Sequence, residues 1–290
     1  MEPNIYRAIS EDGGVLMCAI DSTNIVREME QVHHTSAVVS AGLGRLLTGA
    51  ALMGSFLKNE EDSLTLRVNG GGPVGSLVAV SDGLGNVRGY AENPVTELDA
   101  LRADGKLDVG TAVGTNGYLA VSRDTGLKEP YIGQVPLVSG EIAEDITSYY
   151  ATSEQTPTVC ALGVLVEKDL SICKAGGFLM QLLPGATEGE IARLEANIAK
   201  LPSITSMLQE GGTPQDMINI AMEGFNPNIL DETYVEYRCH CSRGKSRDIL
   251  FSLGKTELEE MLKEEPTVTV ECHFCDEKYT FDLKELLAEN

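Results

Sequence analysis

Apolar positions along the chain fall into two regimes. Up to about residue 183 they form short, strand-length runs set between glycine-rich turns, with a few helical stretches among them. Residues 5–10 and 15–20 flank Glu11-Asp12-Gly13-Gly14, which predicts a hairpin. Helical spacing follows over about 24–32 and 35–57, the second stretch rich in Ala, Leu and Gly and apolar nearly all round, as in a buried helix. Strands are predicted at 64–68, 76–81, 87–90 and 118–123, a helix near 141–150, and strands at 159–166 and 172–182. Two glycine runs, Gly70-Gly71-Gly72-Pro73-Val74-Gly75 and Gly114-Thr115-Asn116-Gly117, lie between these strands. Neither leads into a helix carrying a Lys-Ser/Thr pair, which excludes a P-loop, and both read as turns that need positive φ.

After Pro184-Gly185 the period changes. Thr187-Glu188-Gly189-Glu190 has capping-box spacing, and Ile191, Leu194, Ile198 and Leu201 then fall on one helical face. A second short helix is predicted over 204–209, and Thr213-Pro214-Gln215-Asp216 starts a third, with Pro at its first helical position. Helices this short are marginal on their own and must dock on a neighbour. From about Tyr234 the chain carries a helix over 256–265 with a capping box of its own, a strand over 267–270, a strand-like stretch over 276–281 and a terminal helix from Asp282. The reading is an α+β protein: a mixed α/β core domain at 1–183, a helical linker at 184–233 and a small C-terminal domain at 234–290 that carries Cys239, Cys241, Cys272 and Cys275.

Composition adds limits. Lys and Arg number 22 against 44 Asp and Glu, a formal net charge of −22. That charge repels a phosphate backbone and argues against general nucleic-acid binding, while favouring solubility. Apolar stretches such as the one around residues 50–57 are interrupted by Gly and read as too short to span a bilayer. The opening Met1-Glu2-Pro3-Asn4 has neither a basic nor an apolar leader region, so a cytoplasmic location is expected. His33 and His34, adjacent near a predicted helix start, read as a partly exposed helix entry and give little support to a hydrolytic site.

Seven cysteines in a reducing compartment do not make a disulfide framework. Cys18, Cys160 and Cys173 stand among apolar residues and read as small buried hydrophobes. The other four form Cys239-His240-Cys241 and Cys272-His273-Phe274-Cys275, a two-knuckle pattern that offers a tetrahedral ion four thiolates. Zinc suits soft sulfur and tetrahedral geometry; an iron–sulfur cluster, or His240 and His273 as substitute ligands, are the weaker alternatives. A segment of this size cannot build a self-sufficient core. Zinc contributes on the order of 10–16 kcal/mol to folding in such modules, against roughly 5–15 kcal/mol for whole domains. The same thiolates react with oxidants, and oxidised sulfur no longer serves zinc, so oxidation would release metal and unfold the module together. Most four-cysteine sites are purely structural; the C-x-C half sets this one apart from ribbons with two C-x-x-C knuckles.

These residues carry a family resemblance. Cys239, Cys241, Cys272 and Cys275, the run from Cys272 to Tyr279, the two glycine motifs, Tyr131-Ile132-Gly133-Gln134-Val135, and Ala175-Gly176-Gly177-Phe178 leading to Leu183-Pro184-Gly185 resemble the bacterial redox-regulated chaperone family known as heat-shock protein 33. The resemblance spans nearly the whole chain. It implies a non-enzymatic, ATP-independent holdase that is idle while reduced and bound to one zinc ion per chain. It implies that oxidation forms disulfides Cys239–Cys241 and Cys272–Cys275, expels zinc, unfolds the linker and accompanies homodimerisation. The partners implied are unfolded or oxidatively damaged client proteins, with no nucleic acid and no membrane. Two other functions compete. A thiol-disulfide oxidoreductase would use Cys272 and Cys275, but its C-x-x-C should open a helix. A zinc-ribbon nucleic-acid module would use Arg243, Lys245 and Arg247, against the acidity of the remainder.

Overall fold

The hairpin forms as β1 (Asn4–Ile9) and β2 (Val15–Asp21), and two helices follow it, α1 (Thr23–His33) and α2 (Ala37–Gly54). The structure is a computed structural model that describes residues 4–97, 101, 102 and 105–289. Next come β3 (Ser63–Asn69), β4 (Leu77–Asp82), β5 (Val87–Ala91), a single helical turn α3 (Val109–Val113), β6 (Tyr118–Asp124) and β7 (Tyr131–Pro136). Then α4 (Ala143–Tyr149) runs into a π-helical turn at Tyr150–Glu154, and β8 (Thr158–Val166) and β9 (Ile172–Leu182) close the segment. The linker residues form α5 (Glu188–Ile198), α6 (Ile204–Gln209) and α7 (Pro214–Ala221), followed by β10 (Asn228–Tyr234). The C-terminal part holds α8 (Arg243–Ser252), α9 (Lys255–Glu264), β11 (Thr267–Glu271), β12 (Lys278–Asp282) and α10 (Leu283–Glu289). The fold is mixed helix and sheet, as the pattern predicts. The chain divides into two compact units, Met1–Tyr237 and Arg238–Asn290.

In the first unit one antiparallel sheet has the order β10-β1-β2-β9-β8 and a second has the order β5-β4-β3-β6-β7. Helix α2 packs against strands of both. By length and apolarity α2 could cross a bilayer, contrary to the sequence reading of this region as too short. It is buried instead between the two sheets, where Val39, Leu43, Leu46, Leu47, Ala50 and Leu52 enter the main core. The glycine-bearing apolar surface is needed because it meets protein on every side.

The central strands of the first sheet, β2 and β9, are buried on both faces and show it by alternation. On β2, Cys18 and Ile20 point into the main core, while Val15, Met17 and Ala19 join a second cluster on the opposite face. On β9, Ala175 and Leu179 face α2, while Phe178 and Met180 face the other way. That second face is covered by the linker: α6 packs on β8 and β9, and α7 on β1 and β2. Leu194, Ile204, Met207, Leu208, Met217 and Ile218 are buried there. The linker stripe thus docks on the core sheet. The predicted capping box at Thr187 forms, with Glu190 accepting from the Thr187 backbone N–H at 2.5 Å, and α7 carries a second, unpredicted one, with Asp216 accepting from the backbone N–H of Thr213 at 2.8 Å. Pro214 occupies the first helical position of α7. Asn197, buried, donates to the carbonyls of Ala221 and Glu223, which ties α5 to the end of α7.

The glycine runs meet each other. The amide of Gly72 donates to Val113 O at 2.9 Å and that of Asn116 to Gly70 O at 3.0 Å. A Cβ on Gly70 would sit 2.1 Å from the carbonyl oxygen of Gly114, and Gly71, Gly75 and Gly114 all have positive φ. Turn geometry and backbone contact account for these residues. Two readings change in the structure. His33 and His34 end α1 rather than open a helix: His34 is its left-handed cap at φ 48°, and His33 Nε2 lies 2.9 Å from Gly89 O. Helix α9 starts one residue earlier than predicted, capped by Gly254 without a side-chain bond, so Thr256 lies inside it and forms no capping box.

Candidate metal centre

The second unit has little core of its own. Leu250, Leu258, Phe281, Leu283 and Leu286 are its buried hydrophobics among the described residues. Cys239 and Cys241 lie in the irregular stretch just ahead of α8. Ser242 caps that helix by accepting from the Lys245 amide at 3.2 Å, and Lys245 Nζ donates to the carbonyl of His240 at 2.8 Å, which holds the first knuckle against the helix start. Cys272 and Cys275 occupy the turn between β11 and β12. There the Cys272 amide donates to Glu277 O at 3.0 Å and the Asp276 amide to Cys272 O at 2.8 Å, with Asp276 at φ 57°. The turn runs into β12, not into a helix.

All four sulfurs lie within 4.8 Å of one another. Cys239 Sγ is 3.6 Å from Cys272 Sγ, and Cys241 Sγ is 3.4 Å from Cys275 Sγ. Those separations are far beyond an S–S bond of about 2.05 Å, and all seven cysteines are free. They match the edge of a sulfur tetrahedron around one ion with zinc–sulfur bonds of about 2.3 Å, roughly 3.8 Å. A multi-iron cluster would hold its cysteine sulfurs farther apart. His240 and His273 stand outside the group. The donor set therefore fits a single soft divalent cation.

The sulfurs are not electrostatically equal. Burial pushes the Cys239 and Cys275 thiols above their usual value. Burial also acts upward on Cys241, but hydrogen bonds from the Tyr279 hydroxyl and the neighbouring sulfurs outweigh it, and its net shift is downward. Tyr279 sits on β12, paired with Val270 of β11. In the sequence it stands at the end of the run that begins at Cys272. Its position four residues after Cys275, on the strand leaving the knuckle, is the signal that it reaches the sulfurs.

Of the remaining cysteines, Cys18 is buried, with its thiol pushed up to about 12 by desolvation. Cys160 and Cys173 are half-buried rather than fully buried, and desolvation raises both thiols.

A mixed α/β domain with a helical layer on one sheet face, followed by a small module that gathers four thiols, is the class of protein this fold and site define. The family model described as Hsp33 protein matches residues 4–282. A 33 kDa chaperonin from Clostridioides difficile (strain 630) is 47% identical over 287 residues, covering 99% of this chain and 98% of that protein. One from Lachnoclostridium phytofermentans is 46% identical over 286 residues, covering 99% and 97%. The crystal structure of the 33 kDa chaperonin (heat shock protein 33 homolog) from Thermotoga maritima superposes with a TM-score of 0.92 at 38% identity, covering 100% of this chain and 99% of that one. The chain belongs to the Hsp33 family.

Proposed function

We propose that this protein is a redox-regulated, ATP-independent holdase chaperone of the cytoplasm, whose switch is a zinc ion held by Cys239, Cys241, Cys272 and Cys275. Family membership supports the chaperone role, since the relatives are named chaperonins. The observation that carries the switch is the four-sulfur cluster within 4.8 Å in a unit whose described core is five residues. Zinc, when bound, supplies a positive charge that keeps the sulfurs as thiolates and cross-links two otherwise weakly connected knuckles.

Under a peroxide, a thiolate attacks the O–O bond and becomes a sulfenic acid as hydroxide leaves. The second thiolate of the pair then displaces hydroxide to close the disulfide. Each disulfide delivers two electrons to one peroxide. The pairing we propose is Cys239–Cys241 and Cys272–Cys275. The sulfurs then no longer serve as zinc donors, the unit from Arg238 loses its staple, and the linker leaves the sheet. The domain division at 1–183, 184–233 and 234–290 is the functional one: a platform, a releasable cover and a sensor. Unfolded or oxidatively damaged proteins are held on the apolar surface set free, the oxidised form is a homodimer, and neither nucleic acid nor membrane is a partner.

The competing functions find less support. The Cys272–Cys275 turn leads into a strand, unlike the helix start of a dithiol oxidoreductase. The cations next to the knuckle are engaged within the unit: Arg243 stacks over Phe281 at 4.3 Å, Arg247 pairs with Glu289 at 3.4 Å and Lys245 donates to His240.

The test is zinc content and suppression of aggregation of a thermally unfolding protein, before and after peroxide, with disulfides mapped by peptide mass spectrometry. Suppression should rise as one zinc per chain is lost. Equal suppression by the reduced, zinc-loaded protein would refute redox control. Disulfides linking Cys239 to Cys272 and Cys241 to Cys275, whose sulfurs lie 3.6 and 3.4 Å apart, would refute the pairing.

A further inference from the structure

Methionine is unevenly distributed between the two cores of the first unit. Among the described residues the main core has 41 buried ones, of which Met29 and Met53 are the methionines. The interface between the linker and the sheet has 15 buried residues among those described, and five are methionine: Met17, Met180, Met207, Met217 and Met222. Both partners contribute. Met17 of β2 and Met180 of β9 are directly paired in register, and Met207 lies on α6, Met217 on α7 and Met222 at the end of α7. All five are at most 6% exposed. Unbranched thioether chains adapt to imperfect neighbours and suit a surface that must come apart and re-form. They are also the apolar side chains that two-electron oxidants convert to a polar group.

We infer that Met207, Met217 and Met222 are sulfoxidation sites, protected while the linker is docked and open to oxidant once it is released, and that their sulfoxides keep the linker from docking again. The inference rests on the linker-release reading above. With hypochlorous acid the step balances simply. The thioether sulfur attacks oxygen, an S–O bond forms and the O–Cl bond breaks. Sulfur loses two electrons, chlorine leaves as chloride, and the hydroxyl proton goes to water. The sulfoxide oxygen has no hydrogen-bond donor waiting on a face built of Val15, Met17, Ala19, Phe178 and Met180, so re-docking would bury it unpaired. Thiol reductants reverse disulfides but not sulfoxides. The protein would therefore carry a record of strong oxidation that outlasts its cysteine chemistry.

The experiment uses the full chain in two arms. One is oxidised with diamide, which takes thiols to disulfides and spares methionine; the other is oxidised with hypochlorous acid. Both are then treated with dithiothreitol and a zinc salt and examined by hydrogen exchange and peptide mass spectrometry. The diamide arm should open across α5–α7 and close again. In the hypochlorous acid arm, sulfoxide should be found at Met207, Met217 and Met222, and exchange in α6 and α7 should stay faster by about tenfold or more. Methionine sulfoxide reductases should restore closure, and the volume-conserving triple variant M207L/M217L/M222L should close after either oxidant. If the diamide arm never opens, linker release itself is wrong and the inference goes with it. If it opens and closes but the hypochlorous acid arm closes equally well, or carries no sulfoxide at these three residues, the inference alone is overturned.

Discussion

The hydroxyl of Tyr279 lies 3.3 Å from the sulfur of Cys241. Its hydrogen bond with that sulfur raises the hydroxyl to about 12, so it keeps its proton at neutral pH and donates it to a sulfur whose own proton is lost more easily than usual. Partners of this kind orient metal ligands and commonly change metal affinity by about 10–100-fold when removed. Tyr279→Phe, which deletes only the hydroxyl, should weaken zinc binding by roughly tenfold. Competition against a chromogenic chelator measures it, and unchanged affinity would reduce Tyr279 to a packing residue.

Removing metal should unfold the second unit and leave the core standing. Five buried hydrophobics cannot hold residues 238–290 together, whereas a staple of this kind contributes on the order of 10–16 kcal/mol. Chelation of the reduced protein should abolish amide protection across β11 and β12 while β3 and β4 keep theirs. Cys272→Ser should lose most zinc; retention of full affinity would mean that a histidine takes over as ligand.

Cys18, Cys160 and Cys173 should be bystanders. Desolvation raises all three thiols, which leaves little thiolate at neutral pH. The triple Cys→Ala variant is expected to switch on with peroxide as the parent does, read as aggregation suppression. A folded variant that fails to switch would show that one of them belongs to the sensor.

The linker caps give a pH dependence with a definite sign. Hydrogen bonds from the Thr213 side chain and backbone hold the Asp216 carboxyl below its ordinary value of 3.8. A group whose folded value is lowered stabilises the fold above its ordinary value and loses that contribution as pH falls. The cap should thus be intact at neutral pH and fail on acidification below about pH 4. Thr213→Ala should cost about 1 kcal/mol of α7 protection at pH 7. The difference from the parent should shrink as Asp216 is protonated, measured by hydrogen exchange across the pH range.

Much of this was legible in the sequence, for identifiable reasons. Strands β2 and β9 announce themselves as continuous apolar runs because both their faces are buried, and α2 as an all-round apolar helix for the same reason. The knuckles are legible because ligand spacing is local. Elements held by partners distant in sequence were not. Strand β10 is largely exposed, and it forms because Asn4, Tyr6 and Arg7 of β1 bond to Glu232 and Asp231 across the pair. Strand β7 carries exposed Tyr131 and Ile132 around a glycine and lacks an apolar stripe. Helix α8 begins Arg-Gly-Lys-Ser-Arg-Asp and buries only Ser246 and Leu250. The linker's docking on the core sheet needed the second face of that sheet to be seen.

The position of α2 between two sheets has a consequence during synthesis. The helix ends at Gly54, but β8 and β9, which cover one of its sides, are complete only at Leu182. At about 5–20 residues per second, roughly 6–26 s pass between the two events. Throughout that interval an 18-residue apolar helix hangs from the ribosome without its lid. The nascent chain is itself, for those seconds, a polypeptide in need of shelter.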